Sequence, residues 1–427
     1  MLTPKLLIAL SLAVAPQSSS PSSQQAPPRK RATAEKPSAE KELKRKQAAF
    51  AAQAPDAGAL AEARERAIGL LVSLQESMDP QVKEPCEWPY EGVYRVPDEK
   101  GQPQIPIGYR VGGTSIVCSA LLCAQPDKLE PASEQAILRS LDFVLRSLKL
   151  PLMQPEGCKG YDVRGWGHAY ALEFLLRLRA SASLPTTRRG ELDEAVRWLI
   201  AALGKLEHSE SGGWNYARTD APSGASPFMT APTLQFLYMA RDAGFTVPDA
   251  LVERALATLE ASRGESGAVQ YATQADSPRG KSAEEIPAAV ARMAVVETTL
   301  LLAGRSDEAR IERAVESFFA HWEWLEVRRR QNGTHIPPYS IAPYYFFYGH
   351  RYVAQAIEFL PEGKRAAARE RLYQLLWAVR ESSGGWNDRV FPRSENFGTA
   401  MTLCALLEPA RARPVGWSAK KSEKSAK

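Results

Sequence analysis

Two short segments, Gly212-Gly213-Trp214-Asn215-Tyr216 and Gly384-Gly385-Trp386-Asn387-Asp388, are nearly identical, and nothing else in the chain limits its fold as strongly. A fixed internal period means that one small unit is stacked several times. Weaker copies are Gly157-Cys158-Lys159-Gly160-Tyr161, Gly264-Glu265-Ser266-Gly267 with Tyr271, Gly333 after Gln331-Asn332, and Glu91-Gly92 with Tyr94. One glycine from each gives Gly92, Gly160, Gly213, Gly267, Gly333 and Gly385, with later steps of 53, 54, 66 and 52 residues. A second pattern precedes each glycine loop: a basic residue, a small one, two variable ones and a bulky apolar pair. Arg66-Ala67 leads to Leu70-Leu71, with Gln75 beyond. Arg139-Ser140, Arg254-Ala255 and Arg313-Ala314 open similar copies, and Glu194-Ala195 and Arg371 open degenerate ones.

Apolar residues recur at helical spacing in twelve stretches: 58–77, 112–124, 131–148, 165–181, 188–206, 228–243, 248–262, 284–303, 307–328, 342–359, 362–381 and 395–408. Pro131, Pro248 and Pro361 sit near helix starts, where a missing N–H costs little. Gly244 and Gly304 follow helix ends, where positive φ is often required. No stretch of useful length alternates with period two. Two helices per glycine loop predict an all-α protein, an (α/α)6 toroid of six helical hairpins. The even-numbered helices, richest in Ala, Thr and Tyr, form its inner ring.

The toroid is expected over 57–409. Residues 1–15 read as a secretory signal peptide, with Lys5, the apolar run Leu6 to Ala15, and a small-x-small end at Ala13-Val14-Ala15. That predicts a secreted or periplasmic protein. Residues 16–56 read as a disordered linker and 410–427 as a basic disordered tail, too poor in apolar groups to offset their ordering entropy. The chain carries +5; residues 29–46 and 411–427 each carry +5 and Lys5 adds one, so the body carries −6. A nucleic-acid-binding body should itself be basic, so that class is excluded for the body. The tails either touch an anionic envelope surface or remain solvated. Of the five cysteines, the first four lie in the N-terminal half and leave room for one or two bridges of undetermined connectivity, while Cys118, Cys123 and Cys404 sit in apolar helical stretches and read as inert buried thiols.

The pattern basic–small–x–x–bulky pair, then Gln, then Gly-x-Trp, resembles the repeat of the terpenoid cyclases and, more loosely, of the prenyltransferase β subunits. Arg66, Ala67, Leu70, Leu71 and Gln75 carry its first half, and Gly212 with Trp214 and Gly384 with Trp386 its end. The resemblance spans roughly 58–408 and implies an α/α toroid in which Gly213, Trp214, Gly385 and Trp386 tie neighbouring hairpins together. It does not carry the family's chemistry across. The sequence has no Asp-x-Asp-Asp to protonate an alkene and no Asp-x-Cys pair for a prenyltransferase zinc. It also has no Cys-x-Glu-Gln thioester and no Gly-x-Ser-x-Gly elbow. No motif calls for a metal or a cofactor.

Polar residues at the inner-helix N-termini remain, and six such termini should converge at one mouth, offering unpaired N–H groups. Two segments concentrate them: Asp162 to His168, and the aromatic run Pro343 to His350. The expected pocket wall is Asp162, His168, Tyr345, His350 and Glu395. Two functions fit. One is binding of an apolar, isoprenoid-like small molecule or an envelope protein. The other is a polysaccharide hydrolase or lyase, which needs paired carboxylates from among Asp162, Glu284, Glu285, Asp388 and Glu395.

Overall fold

The computed structural model describes residues 53–98, 100–156, 163–219, 221, 224–273, 285–331, 333–335 and 337–418. The signal-peptide stretch, nearly all of the linker, Asp162, Cys158 and Glu284 lie outside these residues. Twelve α-helices are present among the described residues: α1 (Ala57–Ser73), α2 (Ile107–Ala124), α3 (Pro131–Ser147), α4 (Arg164–Ala180), α5 (Arg189–Lys205), α6 (Pro227–Asp242), α7 (Asp249–Ala261), α8 (Ile286–Leu302), α9 (Glu308–Arg328), α10 (Tyr345–Ile357), α11 (Glu362–Trp377) and α12 (Ser394–Leu407). A two-stranded hairpin, β1 (Val96–Pro97) with β2 (Pro103–Gln104), is the only sheet among the described residues.

The even-numbered helices each pack on the next, and α12 packs on α2, which closes the ring. The odd-numbered helices lie outside. Composition explains the sorting. Helices such as α2 and α8 are buried on every face, whereas α3 and α11 bury a stripe and leave the rest to solvent. Side-chain caps begin α1 and α9, where the Asp56 and Asp307 carboxylates accept from Ala59 N (2.8 Å) and Arg310 N (2.9 Å). α1 stops at Ser73, short of the expected 77, because the backbone at Glu76 pairs with Glu87 instead.

Three tryptophans fasten outer to inner helices in the same way. The indoles of Trp214 and Trp386 donate to Leu203 O and Leu376 O, both at 2.8 Å. Their backbone N–H groups donate to Thr230 and Thr399 Oγ1, both at 3.0 Å. Trp88 makes the same two bonds, to Leu71 O (2.7 Å) and Thr114 Oγ1 (2.8 Å). The first hairpin is therefore anchored at Trp88 rather than at the expected Glu91-Gly92. Gly212, at φ +72°, lies under Arg254 of the next outer helix, where an added Cβ would come within 2.9 Å. Arg66 of α1 donates to Ser383 O (3.0 Å) in the last loop, so this device also spans the ring's seam.

The bore is filled. Residues of non-adjacent inner helices meet across the axis: Trp166 of α4 and Phe397 of α12 have centroids 6.5 Å apart, and Tyr348 of α10 donates to Phe228 O of α6 at 3.0 Å. Tyr170, Phe236 and Tyr352 continue this column and are buried. The expected disordered tail needs one correction. Residues 411–418 run across the C-terminal ends of the inner helices, and Trp417 is only 5% exposed. Its N–H donates to Leu302 O (2.7 Å), and the Arg241 guanidinium lies 3.3 Å from its ring centroid. One large aromatic residue is enough to dock a segment whose overall composition is polar.

Candidate functional site

The ring has two mouths, one at the inner-helix N-termini and one at their C-termini. At the first, the turn after Trp386 is rigidly held. Asn387 Nδ2 donates to Phe391 O (3.0 Å), Arg389 N donates to Asn387 Oδ1 (2.8 Å), and Arg330 N donates to Asp388 O (2.9 Å). This turn carries Asp388 and Arg389 inward. Arg389 Nε donates to the Tyr90 hydroxyl at 2.8 Å, and its guanidinium lies 5.8 Å and 5.9 Å from the Tyr90 and Tyr344 rings. Tyr109, Tyr216 and Tyr345 continue the aromatic floor, and Tyr271, His335 and Tyr344 form a partly exposed rim. Arg292, buried in α8, donates to Val269 O (2.8 Å) and lies 5.6 Å from the Tyr345 centroid.

The charges here are poorly compensated. Asp388 is 0% exposed, and neither carboxylate oxygen has a hydrogen-bond partner in good geometry. Burial pushes its pKa up to about 7, and the nearby Arg389 charge offsets only part of that. Arg328 donates through Nε to Ile341 O (3.1 Å), while its Nη2 and the Nη1 of Arg389 are buried without partners. Burial, and then the like charge of Arg389, push the Arg328 pKa down to about 10. Two guanidiniums and one carboxyl of raised pKa thus share a buried, tyrosine-lined space.

At the opposite mouth the buried charges are paired, and only Glu173 Oε2 and the Tyr352 hydroxyl among its lining groups lack a hydrogen-bond partner. Glu173 of α4 receives Arg177 (2.9 Å) from its own helix and Arg351 from α10 across the axis. Those two cations hold its carboxyl below the usual range against the upward push of burial. Gln235 and Gln355 exchange two amide hydrogen bonds, at 3.0 and 2.9 Å. Between these groups and residues 411–415 lies a cleft of about 240 Å³.

Of the expected pocket wall, only Tyr345 lies at the first mouth among the described residues. His168 is bonded to Met153 O (2.9 Å) and meets Trp198 of α5 edge-on, so it faces the outer layer. His350 accepts from Trp322 Nε1 (2.9 Å) of α9, and its Nδ1 lies 2.7 Å from Phe346 O. That arrangement requires the neutral Nδ1–H tautomer, and burial holds the pKa down to about 3. Five residues separate Tyr345 from His350, about 140° around a helix, so one faces the mouth and the other the outer layer. Glu395 bonds the Ser383 hydroxyl and lies against the Gly385 turn near Leu70 of α1, at the seam. Asp388 entered the sequence reading only as one of five carboxylates, and Tyr90, Arg328 and Arg389 were not singled out. Their one signal is position: Asp388-Arg389 directly follows the Trp386-Asn387 anchor.

No family model and no curated protein matches the sequence. Among solved structures, the unsaturated glucuronyl hydrolase of Bacillus sp. GL1 superposes with a TM-score of 0.52 at 12% identity, over 85% of this chain and 100% of that one. The GH76A α-1,6-mannanase of Salegentibacter sp. HEL1_6 gives 0.50 at 11% identity, over 82% and 99%. The type II terpene cyclase MstE from Scytonema gives 0.48 at 15% identity, over 83% and 99%. At these identities the likeness concerns fold alone, and the fold of this chain is the α/α toroid.

Proposed function

We propose that this toroid binds an anionic, hydroxyl-bearing ligand of the acidic-saccharide class at the mouth lined by Tyr90, Tyr344 and Tyr345, with Asp388 as its proton donor. One observation carries the reading: Arg328 and Arg389 are both buried within electrostatic reach of each other, and each has an unpartnered N–H group. An anion between them would relieve their repulsion and complete their hydrogen bonds. Tyrosine faces suit sugar rings. A carboxyl with a pKa near 7 still holds its proton at a pH where it can give it away. A catalytic role for Asp388 extends the binding reading and is tested separately, by release of a chromogenic uronide and its loss in Asp388→Asn.

The aromatic floor favours a second reading, an amphipathic ligand with an apolar body. The filled bore argues against it, since Trp166, Phe397, Tyr170 and Tyr352 occupy the space such a body would need. Calorimetric titration with trigalacturonate, maltotriose and farnesyl diphosphate separates the two. The proposal expects trigalacturonate to bind and Arg389→Met to weaken it about tenfold or more. Equal binding of maltotriose, or binding indifferent to Arg389, would overturn it; preference for farnesyl diphosphate would support the second reading. Residues 1–15 are proposed as an export signal, so the ligand would be met outside the cytoplasm. A mature N-terminus at Pro16 is the expected result of sequencing the exported protein, and an intact Met1 would contradict export by cleavage.

A further inference from the structure

Cys123 and Cys404 were expected to be inert core thiols, and their surroundings say otherwise. Cys123 is in the last turn of α2 and Cys404 in the last turn of α12, the first and last inner helices, which pack together to close the ring. The two thiols are neighbours at this seam, close enough to influence each other's titration. Cys404 is buried, but Cys123 is only half-buried. It opens onto a cleft of about 440 Å³ whose wall includes Arg64, Arg177 and Arg411. Exposed on one side, cationic around it and backed by a second thiol, Cys123 has the surroundings of a reactive cysteine. The neighbouring Cys404 thiol, and then the Arg177 and Arg411 charges, hold its pKa below the ordinary thiol value against the push of burial. Cys118, deeper in α2, has no such cations, and burial pushes its pKa up.

We propose that Cys123 is a thiol–disulfide exchange site and Cys404 its resolving partner, with a small disulfide of the glutathione type as oxidant. The Cys123 thiolate attacks one sulfur of the small disulfide, forming a mixed disulfide and releasing one thiolate. Cys404 loses its proton and attacks Cys123 Sγ; the Cys123–Cys404 bond forms, and the second small thiolate leaves. Two protein thiols are oxidised, one small disulfide is reduced to two thiols, and the two protein protons end on the released thiolates at equilibrium. The product staples α2 to α12, so the ring is closed covalently at its seam and not only by packing. Residues 123 to 404 then form one closed loop, which restricts the unfolded chain.

The test uses the full chain, reduced, desalted and mixed with oxidised glutathione near neutral pH. Intact mass should show a single transient glutathione adduct, followed by a product two hydrogens lighter than the starting protein. Peptide mapping should place the link between Cys123 and Cys404. In Cys404→Ser the adduct should persist on Cys123, and in Cys123→Ser neither species should form. An adduct that stays on the wild type, a link to another cysteine, or no reaction at all overturns the proposal. Should a serine variant fail to fold, timed iodoacetamide labelling of the wild type decides the first step: Cys123 should react about tenfold faster than Cys86 or Cys118. Equal rates would contradict it.

Discussion

The two mouths of this ring use the same kinds of side chain to opposite ends. At the C-terminal mouth, Glu173 is held by Arg177 and Arg351, Gln235 by Gln355, and Glu408 by Arg411 (2.6 Å). At the N-terminal mouth, Asp388, Arg389 Nη1 and Arg328 Nη2 are equally buried and lack such partners. Buried polar groups in native structures are normally satisfied, so a cluster that is not invites an explanation. A network in which each charge is bonded to an opposite one rigidifies the fold, whereas charges without such a partner store desolvation cost that a ligand can recover. We therefore assign the C-terminal mouth to architecture and the N-terminal mouth to binding.

That contrast can be broken by mutation. Glu173→Ala would leave Arg351 buried and unpaired, and should cost about 3–5 kcal/mol in urea unfolding. Asp388→Asn should cost less than about 1 kcal/mol, or stabilise, because a costly buried carboxyl is removed. Equal costs would erase the distinction. Next in size is Trp417→Ala, which should cost roughly 2–3 kcal/mol through lost packing on Tyr238 and Arg241. It should also open the Arg411–Ala412 bond to trypsin before any cleavage inside the helices. Unchanged proteolysis would mean that Trp417 does not hold residues 411–418 down.

The most gradual effect is a dependence on pH, spread over several units, and the two buried groups pull in opposite directions. Asp388 has its folded pKa raised from an ordinary 3.8 to about 7, so its folded state favours the proton. Its contribution is fully present below pH 4 and is lost as pH rises to about 7, by at most about 1.4 kcal/mol per unit. His350 has its folded pKa lowered from 6.5 to about 3, so its contribution is present above 6.5 and is lost as pH falls toward 3. The difference between wild type and Asp388→Asn should isolate the first slope between pH 4 and 7. A flat difference would place Asp388 in contact with water or a partner.

The fold was legible in the sequence and the site largely was not, for a physical reason. Helix number and order follow from periodicity and from glycines such as Gly212 and Gly384, whose positive φ fixes the loops. The inner helices, however, are buried on all faces, as α2, α4 and α10 show. Without a polar face, nothing in the sequence tells which side of α10 meets the axis, so Tyr345 and His350 could not be told apart. Pairs such as Glu173 with Arg351, 178 residues apart, depend on ring closure and leave no local trace. Trp88 escaped notice because 17 residues separate it from its acceptor Leu71, against 11 for Trp214 and 10 for Trp386.

Hydrogen–deuterium exchange with and without trigalacturonate distinguishes the two mouths directly. Protection should concentrate in peptides containing Tyr90, Arg328, Tyr344 and Asp388-Arg389, and should leave residues 411–418 and the Glu173 turn unchanged. Protection confined to residues 411–418 and α4, or none anywhere at saturating ligand, would contradict the assignment of binding to the N-terminal mouth.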